Sequence, residues 1–184
     1  IASGFFPRFV NQQHQFLLGN GVTLTDQNNK AKLGRGFDRQ LQKLGHAAIV
    51  GGVAFGFWNL DHLDVFRLTE FVPLYDENNG ALMAGIRFWQ VSKAKPLRAT
   101  LYELDGYTDY IKTDEKPMSV LKENRSYILH IATSEIDGTE IYDGENYPSF
   151  PIIPLWCNQN QQSELVGIRE AIDSYDLIKS GFAN

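Results

Sequence analysis

Cysteine is nearly absent from this chain, with Cys157 the sole example in 184 residues. That excludes an internal disulfide framework and a thiolate metal site built within one chain, and it makes a reducing compartment the natural setting. The apolar neighbours Leu155 and Trp156 suit a packing role for Cys157, and no base that would make it a nucleophile is identifiable. Long apolar runs are also missing. The longest apolar neighbourhood, Ala47 to Trp58, is interrupted by Gly51, Gly52 and Gly56, and it falls short of the roughly 18 to 20 residues that a membrane span requires. No membrane partner is expected. Basic charge is in deficit, since 17 Lys and Arg against 22 Asp and Glu give a net charge of -5. A general electrostatic grip on phosphate backbones is therefore excluded, and any contact with nucleic acid has to be local or repulsive. The chain lacks G-x-x-x-x-G-K-[ST], G-x-S-x-G and H-E-x-x-H, so three large enzyme classes lose their usual signature. No cofactor, metal or catalytic residue is assigned, and the chain is not read as an enzyme. The N-terminus has no basic segment, h-region or initiator Met, and reads as the edge of a cut fragment.

Hydrophobic residues at 43% and charged residues at 21% are enough for one ordinary domain or two small ones. Phe6, Phe9, Val10, Gln13, Phe16 and Leu17 recur at helical spacing, which predicts a helix over Gly4 to Leu18 that ends at Gly19. Val22 to Thr25 alternates and is β-branched, which predicts a short strand, and Asp26 to Lys32 reads as a polar link. From Phe37, the residues Leu41, Leu44 and Ala48 form one apolar stripe of a second helix closed by Gly51-Gly52. Gly45 inside that helix costs about 1 kcal/mol relative to Ala, so another element should pack closely there.

Strands are expected at Val53 to Leu60, Val65 to Thr69, Phe71 to Tyr75, Leu82 to Val91, Leu97 to Leu104, Tyr107 to Lys112 and Tyr127 to Thr133. The dipeptides Asn79-Gly80, Asp105-Gly106, Asp137-Gly138 and Asp143-Gly144 supply tight-turn geometry, and no long helix separates the strands. An antiparallel meander is thus favoured over a parallel sheet. After the proline-punctuated strand Phe150 to Trp156, Ser163 is placed to cap a helix with Leu165, Ile168, Ile172, Tyr175, Ile178 and Phe182 on one stripe. No stop signal precedes Asn184, so that helix is expected to continue. The fold class is α+β: a mostly antiparallel sheet domain with flanking helices over residues 1–162, and a long C-terminal helix, cut short, over 163–184.

The chemistry-bearing residues each have a plain alternative. Asp61, His62 and Asp64 offer oxygen and imidazole ligands to a cation, but they lie between two strands, where a hairpin turn accounts for them. His14, His46 and His130 fall in different elements, and no spacing brings two together. Asp105, Asp109, Asp114 and Glu115 offer carboxylates of the kind a glycosidase pairs across a cleft, and solvated turns explain them equally simply. A small β-rich hydrolase or carbohydrate-active enzyme using these clustered Asp residues is the alternative function. Asn124-Arg125-Ser126 matches a glycosylation sequon by chance. Phe55, Phe57, Trp58, Phe66, Phe71, Phe88 and Trp89 read as core or subunit-interface aromatics, because too few basic residues interleave them for base stacking.

The closing segment is more specific. Phe150-Pro-Ile-Ile-Pro154, an Asn-rich loop, and a helix carrying Ser163, Leu165, Ile168, Ile172, Asp173, Tyr175, Asp176, Ser180 and Asn184 resemble portal proteins of siphovirus-type tailed phages. Phe16 to Gly19, the helix Phe37 to Val50 before Gly51-Gly-Val-Ala-Phe55, and Phe71 to Asp76 agree with that family in order. The chain departs from it at Trp156-Cys157 and in the short link between Thr25 and Phe37. The resemblance implies a structural protein forming a homo-oligomeric, dodecameric ring at one capsid vertex, through which double-stranded DNA is packaged and ejected. It implies terminase, capsid and head-tail adaptor proteins as partners, mostly through parts beyond Asn184, and a location in the virion and, during assembly, in the host cytoplasm. On this reading residues 1–162 form the wing and 163–184 the start of the stem. The apolar stripe of the last helix would pack on the wing, while Arg169, Asp173, Tyr175 and Asp176 meet a neighbouring subunit. Arg169 and Asp173, four apart, equally suit a simple exposed pair.

Overall fold

A computed structural model of the chain describes residues 4–113, 116–133 and 140–182. Among these lie four helices and ten strands. Two compact units emerge. The first comprises Ile1–Gly56, Asp61–Leu68 and Pro154–Asn184, and the second comprises Phe57–Leu60 and Thr69–Ile153.

The first unit opens with helix α1 (Phe5–Leu18), the short helix α2 (Gln27–Lys32) and helix α3 (Phe37–Gly51). The apolar stripe of α3 buries Leu44, Ala48 and Ile49, and Val10 of α1 is buried as well. Gly45 meets its expectation: a Cβ there would lie 2.5 Å from Leu18 Cδ1, so the missing side chain is what lets α1 lie close. The expected strand at Val22 to Thr25 does not form. Side chains take its backbone groups instead, Val22 N–H donating to Asp38 Oδ1 at 3.2 Å and Val22 carbonyl accepting from Lys30 Nζ at 2.8 Å. With those groups satisfied there is no ladder to join. Lys30, hydrogen-bonded to Asp38 at 2.5 Å, and the Val22 amide hold the Asp38 carboxyl below its ordinary range. The polar link after it is the helix α2, capped by Asp26, whose carboxylate accepts from Asn28 N–H at 2.8 Å.

Gly52 ends α3 at φ 86°, a region open to glycine, and its N–H donates to the Ala48 carbonyl at 2.7 Å. Strands β1 (Val53–Asn59) and β2 (His62–Arg67) follow, joined by the two-residue turn Leu60-Asp61 with Leu60 at φ 58°. With β10 (Ile152–Trp156) they make a three-stranded sheet in the order β10-β1-β2. Phe55 and Phe66 are fully buried.

The second unit contains the expected antiparallel meander. Strands β3 (Phe71–Tyr75), β4 (Leu82–Trp89), β5 (Leu97–Glu103), β6 (Gly106–Thr113) and β7 (Lys116–Arg125) pair in sequence order. Gly80 and Gly106 take positive φ at the turns foreseen for them. A side chain on Gly106 would collide with the Arg125 carbonyl. Strand β7 was not foreseen, because all ten of its residues are exposed and an edge strand with no buried face shows no alternation to read.

Strand β8 (Ile128–Thr133) pairs with β9 (Glu140–Glu145), also unforeseen. Asp143-Gly144 lies inside β9 rather than in a turn, with Gly144 opposite Leu129 and packed on Ser126. The expected turn at Asp137-Gly138 lies outside the described residues. Phe57, Tyr102 and Tyr127 form an aromatic core whose ring centroids lie 5.2 and 5.9 Å from Phe57. Tyr127 O–H donates to the Glu103 carbonyl at 2.6 Å, and burial pushes its ionisation far above the ordinary tyrosine range.

Candidate subunit-interface helix

Helix α4 (Leu165–Phe182) is fastened at its start and open thereafter. Ser163 Oγ accepts from Leu165 N–H at 3.2 Å, in the capping position expected of it, and lies 3.4 Å from the Ile49 carbonyl as donor. Glu164 N–H donates to the same carbonyl at 3.2 Å, and Cys157 N–H donates to the Gly52 carbonyl at 2.9 Å. The Glu164 carboxylate accepts from Cys157 Sγ at 3.3 Å and Asn158 Nδ2 at 3.2 Å. Burial, reinforced by that carboxylate, pushes the Cys157 thiol up to about 11. The thiol is a donor in a structural clasp, in keeping with the packing role read from its neighbours.

Further along α4 no residue is buried. Leu177 is 75% exposed and Phe182 89%, with Val166 and Ile178 also open. Of the stripe expected to pack, Leu165, Ile168 and Ile172 are half-buried, whereas Tyr175, Ile178 and Phe182 are exposed. Periodicity reports that a helix has an apolar face and is silent about what covers it.

The four interface candidates do not form one cluster. Arg169 and Asp173 pair at 3.6 Å with both side chains largely in solvent, an interaction worth a few tenths of a kcal/mol. Tyr175 meets Phe5 of α1 edge to face at 4.8 Å. Asp176 is half-buried, and its Oδ1 has no hydrogen-bond partner among the described residues.

The other candidates resolve into local roles. Asp61 accepts from His62 Nδ1 at 2.9 Å beside the β1–β2 turn, and this hydrogen bond raises the His62 pKa. Asp64 lies 3.6 Å from His62 Nε2, yet no group of three ligating side chains gathers among the described residues. His14 and His46, expected to lie apart, meet edge to face with ring centroids 5.5 Å apart. Their pairing is created by the packing of α1 on α3, which leaves no trace in sequence spacing. His130 faces Glu145 at 3.3 Å across β8 and β9. Asp109 accepts from Thr100 at 2.7 Å and from Arg125 at 2.6 Å, with Arg125 also over the Tyr107 ring. It is a cross-strand tie. Asp114 and Glu115 lie outside the described residues. Phe55, Phe57, Phe66 and Phe71 are core, whereas Trp58, Phe88 and Trp89 retain exposure.

These features define a class, an α+β scaffold that presents a partly uncovered helical face. A family model described as phage portal protein, SPP1 Gp6-like, matches residues 1–184, and the chain belongs to that family. The family is a structural one of the phage virion, and a portal role follows for the chain. No curated protein matched the sequence. No helix among the described residues is long and apolar enough to cross a membrane.

Proposed function

We propose that the chain forms the wing and the start of the stem of a dodecameric portal ring at one capsid vertex, through which double-stranded DNA enters and leaves. Residues 1–162 are the wing, and the helix from Ser163 is the start of the stem. The observation that carries this reading is α4 itself, clasped firmly at Ser163 and Glu164 and then exposing Tyr175, Ile178 and Phe182 along its apolar stripe. Apolar surface of this kind is costly to leave in water and marks a surface for association. In a ring each subunit offers one patch to a different patch of the next, and rotation closes the circle. Arg169, Asp173, Tyr175 and Asp176 line the subunit contact. Terminase, capsid and head-tail adaptor proteins are the further partners, in the virion and in the host cytoplasm during assembly. A net charge of -5 suits a conduit along which DNA slides, since a strongly basic wall would retain it.

Negative-stain electron microscopy of the intact gene product, with mass analysis in solution, tests the reading. Rings with a central channel are expected, and Ile178→Asp should abolish them while leaving the fold intact. A strictly monomeric protein across several salt concentrations would sink the proposal.

A further inference from the structure

Four of the chain's eight tyrosines meet at one end of the second unit. Phe57, Tyr102, Tyr107 and Tyr127 form a closed circuit of rings, with successive centroids 5.2, 6.2, 5.7 and 5.9 Å apart, and Tyr147 extends it 5.7 Å from Tyr127. These five rings and Asn59 line a cavity of about 150 Å³. All six residues belong to the second unit. Tyr107 stands at the opposite end of β6–β7 from Thr113–Lys116, and Tyr127 and Tyr147 flank the opposite end of β8–β9 from Thr133–Glu140. Phe57, Tyr102 and Tyr127 are buried, whereas Tyr107, Tyr147 and Asn59 are half-buried, so the cavity has a dry side and a side that reaches solvent.

Hydrogen bonds hold the rings in place. Tyr127 O–H donates to the Glu103 carbonyl at 2.6 Å, and Tyr127 N–H donates to Asn146 Oδ1 at 3.1 Å. Asn146 Nδ2 donates in turn to the Asp105 carbonyl at 2.8 Å, and Tyr147 Oη accepts from Leu60 N–H at 2.9 Å. With two hydroxyls engaged by backbone, those tyrosines offer a ligand chiefly ring surface. An aromatic face carries partial negative charge and attracts a cation, most strongly where the cation has left water. The surroundings have the same sign. Burial is the main reason that Tyr127 ionises far above the ordinary range, and Tyr102 and the carboxylates of Asp105 and Glu103 push it further. One ring already holds a cation on its face: the Arg125 guanidinium lies 4.7 Å from the Tyr107 centroid, its charge balanced by Asp109 at 2.6 Å. Arg125 does not line the cavity.

We propose that this tyrosine cavity binds a small quaternary ammonium ion, with its methyl groups packed on the rings. A void of about this size accepts benzene when its walls are apolar, and aromatic walls in acidic surroundings suit a cation of similar bulk. A lysine-type ammonium is strongly hydrated and would bring N–H donors into a space walled by rings, whereas a fully methylated nitrogen has no donor to leave unsatisfied. The cavity therefore selects the methylated cation. The inference stands on the second unit alone and is independent of whether rings of subunits form.

The test uses the whole chain and choline, with the neutral analogue in which carbon replaces the charged nitrogen as a probe of the same shape. Binding is followed by amide and aromatic chemical shifts, and folding by circular dichroism. Choline is expected to shift the signals of Tyr102, Tyr107, Tyr127 and Tyr147 saturably and to bind about tenfold or more tighter than its neutral analogue. Tyr147→Leu removes a ring and should weaken choline about fivefold or more, Tyr147→Phe keeps the ring and should stay within about twofold, and Phe88→Leu, outside the cavity, should leave binding as it is. Equal binding of the neutral analogue would make the cavity a simple apolar void and overturn the proposal. So would choline shifts confined to other residues, or a folded Tyr147→Leu that binds choline like the parent. Should Tyr147→Leu fail to fold, Tyr107→Leu is read by the same criteria, and the comparison of choline with its neutral analogue needs no variant.

Discussion

Leu44 and Ala48 on α3, and Leu165, Ile168, Ile172 and Ile178 on α4, recur at the same helical spacing. The α3 residues are buried, Leu44 at 6% and Ala48 at 2% exposure, whereas α4 has no buried residue. The difference lies in what surrounds each helix. Gly45 lets α1 close over α3, and Val10, Phe55 and Phe66 are among the unit's other buried residues. After its clasp at Ser163, α4 is only partly covered: Leu165, Ile168 and Ile172 are half-buried, and Tyr175 meets Phe5 edge to face. One stripe belongs to the chain's own core, and the other is open along its second half.

The contrast can be broken at three points. Leu44→Ala should cost about 2 to 5 kcal/mol in denaturant unfolding, because it opens a cavity where α3 is packed. Ser163→Ala, at the joint between the two helices, removes the acceptor for Leu165 N–H and should cost about 1 kcal/mol in the same measurement. Ile178→Ala should leave the stability of the isolated chain within about 0.5 kcal/mol of the parent. A loss there as large as that of Leu44→Ala, measured on a monomeric chain, would mean that the α4 face is covered by the chain itself, and the contrast would collapse.

Where a segment is half-buried, the sequence was readable. The stripe of α3, the β-rich runs of β3 to β6 between their turns, and the glycines at 80 and 106 all carry a signature because one face meets a core and a turn demands a special φ. Strand β7 carries none, since both its faces are wet. Val22 to Thr25 misled for the opposite reason, as its β-branched residues suit a strand whose hydrogen bonds Lys30 and Asp38 had already taken. Helix α4 was legible through Ser163 and its spacing, while the exposure of its second half was not. The meeting of His14 with His46 depends on elements brought together by folding. Spacing along the chain cannot report it.

The clasp of Ser163 on Ile49 joins residues 114 apart in sequence. Most of the intervening chain is the second unit, which is covalently inserted within the first as the two segments Phe57–Leu60 and Thr69–Ile153. The entropy of closing such a loop rises only with the logarithm of its length, so each doubling costs about 0.6 kcal/mol. Once residues 49–52 and 157–164 recognise one another, the size of what lies between them matters little to the frame they close. The inserted sheet can lengthen, shorten or gain strands over evolutionary time at small thermodynamic cost, while the joint that launches α4 stays as it is.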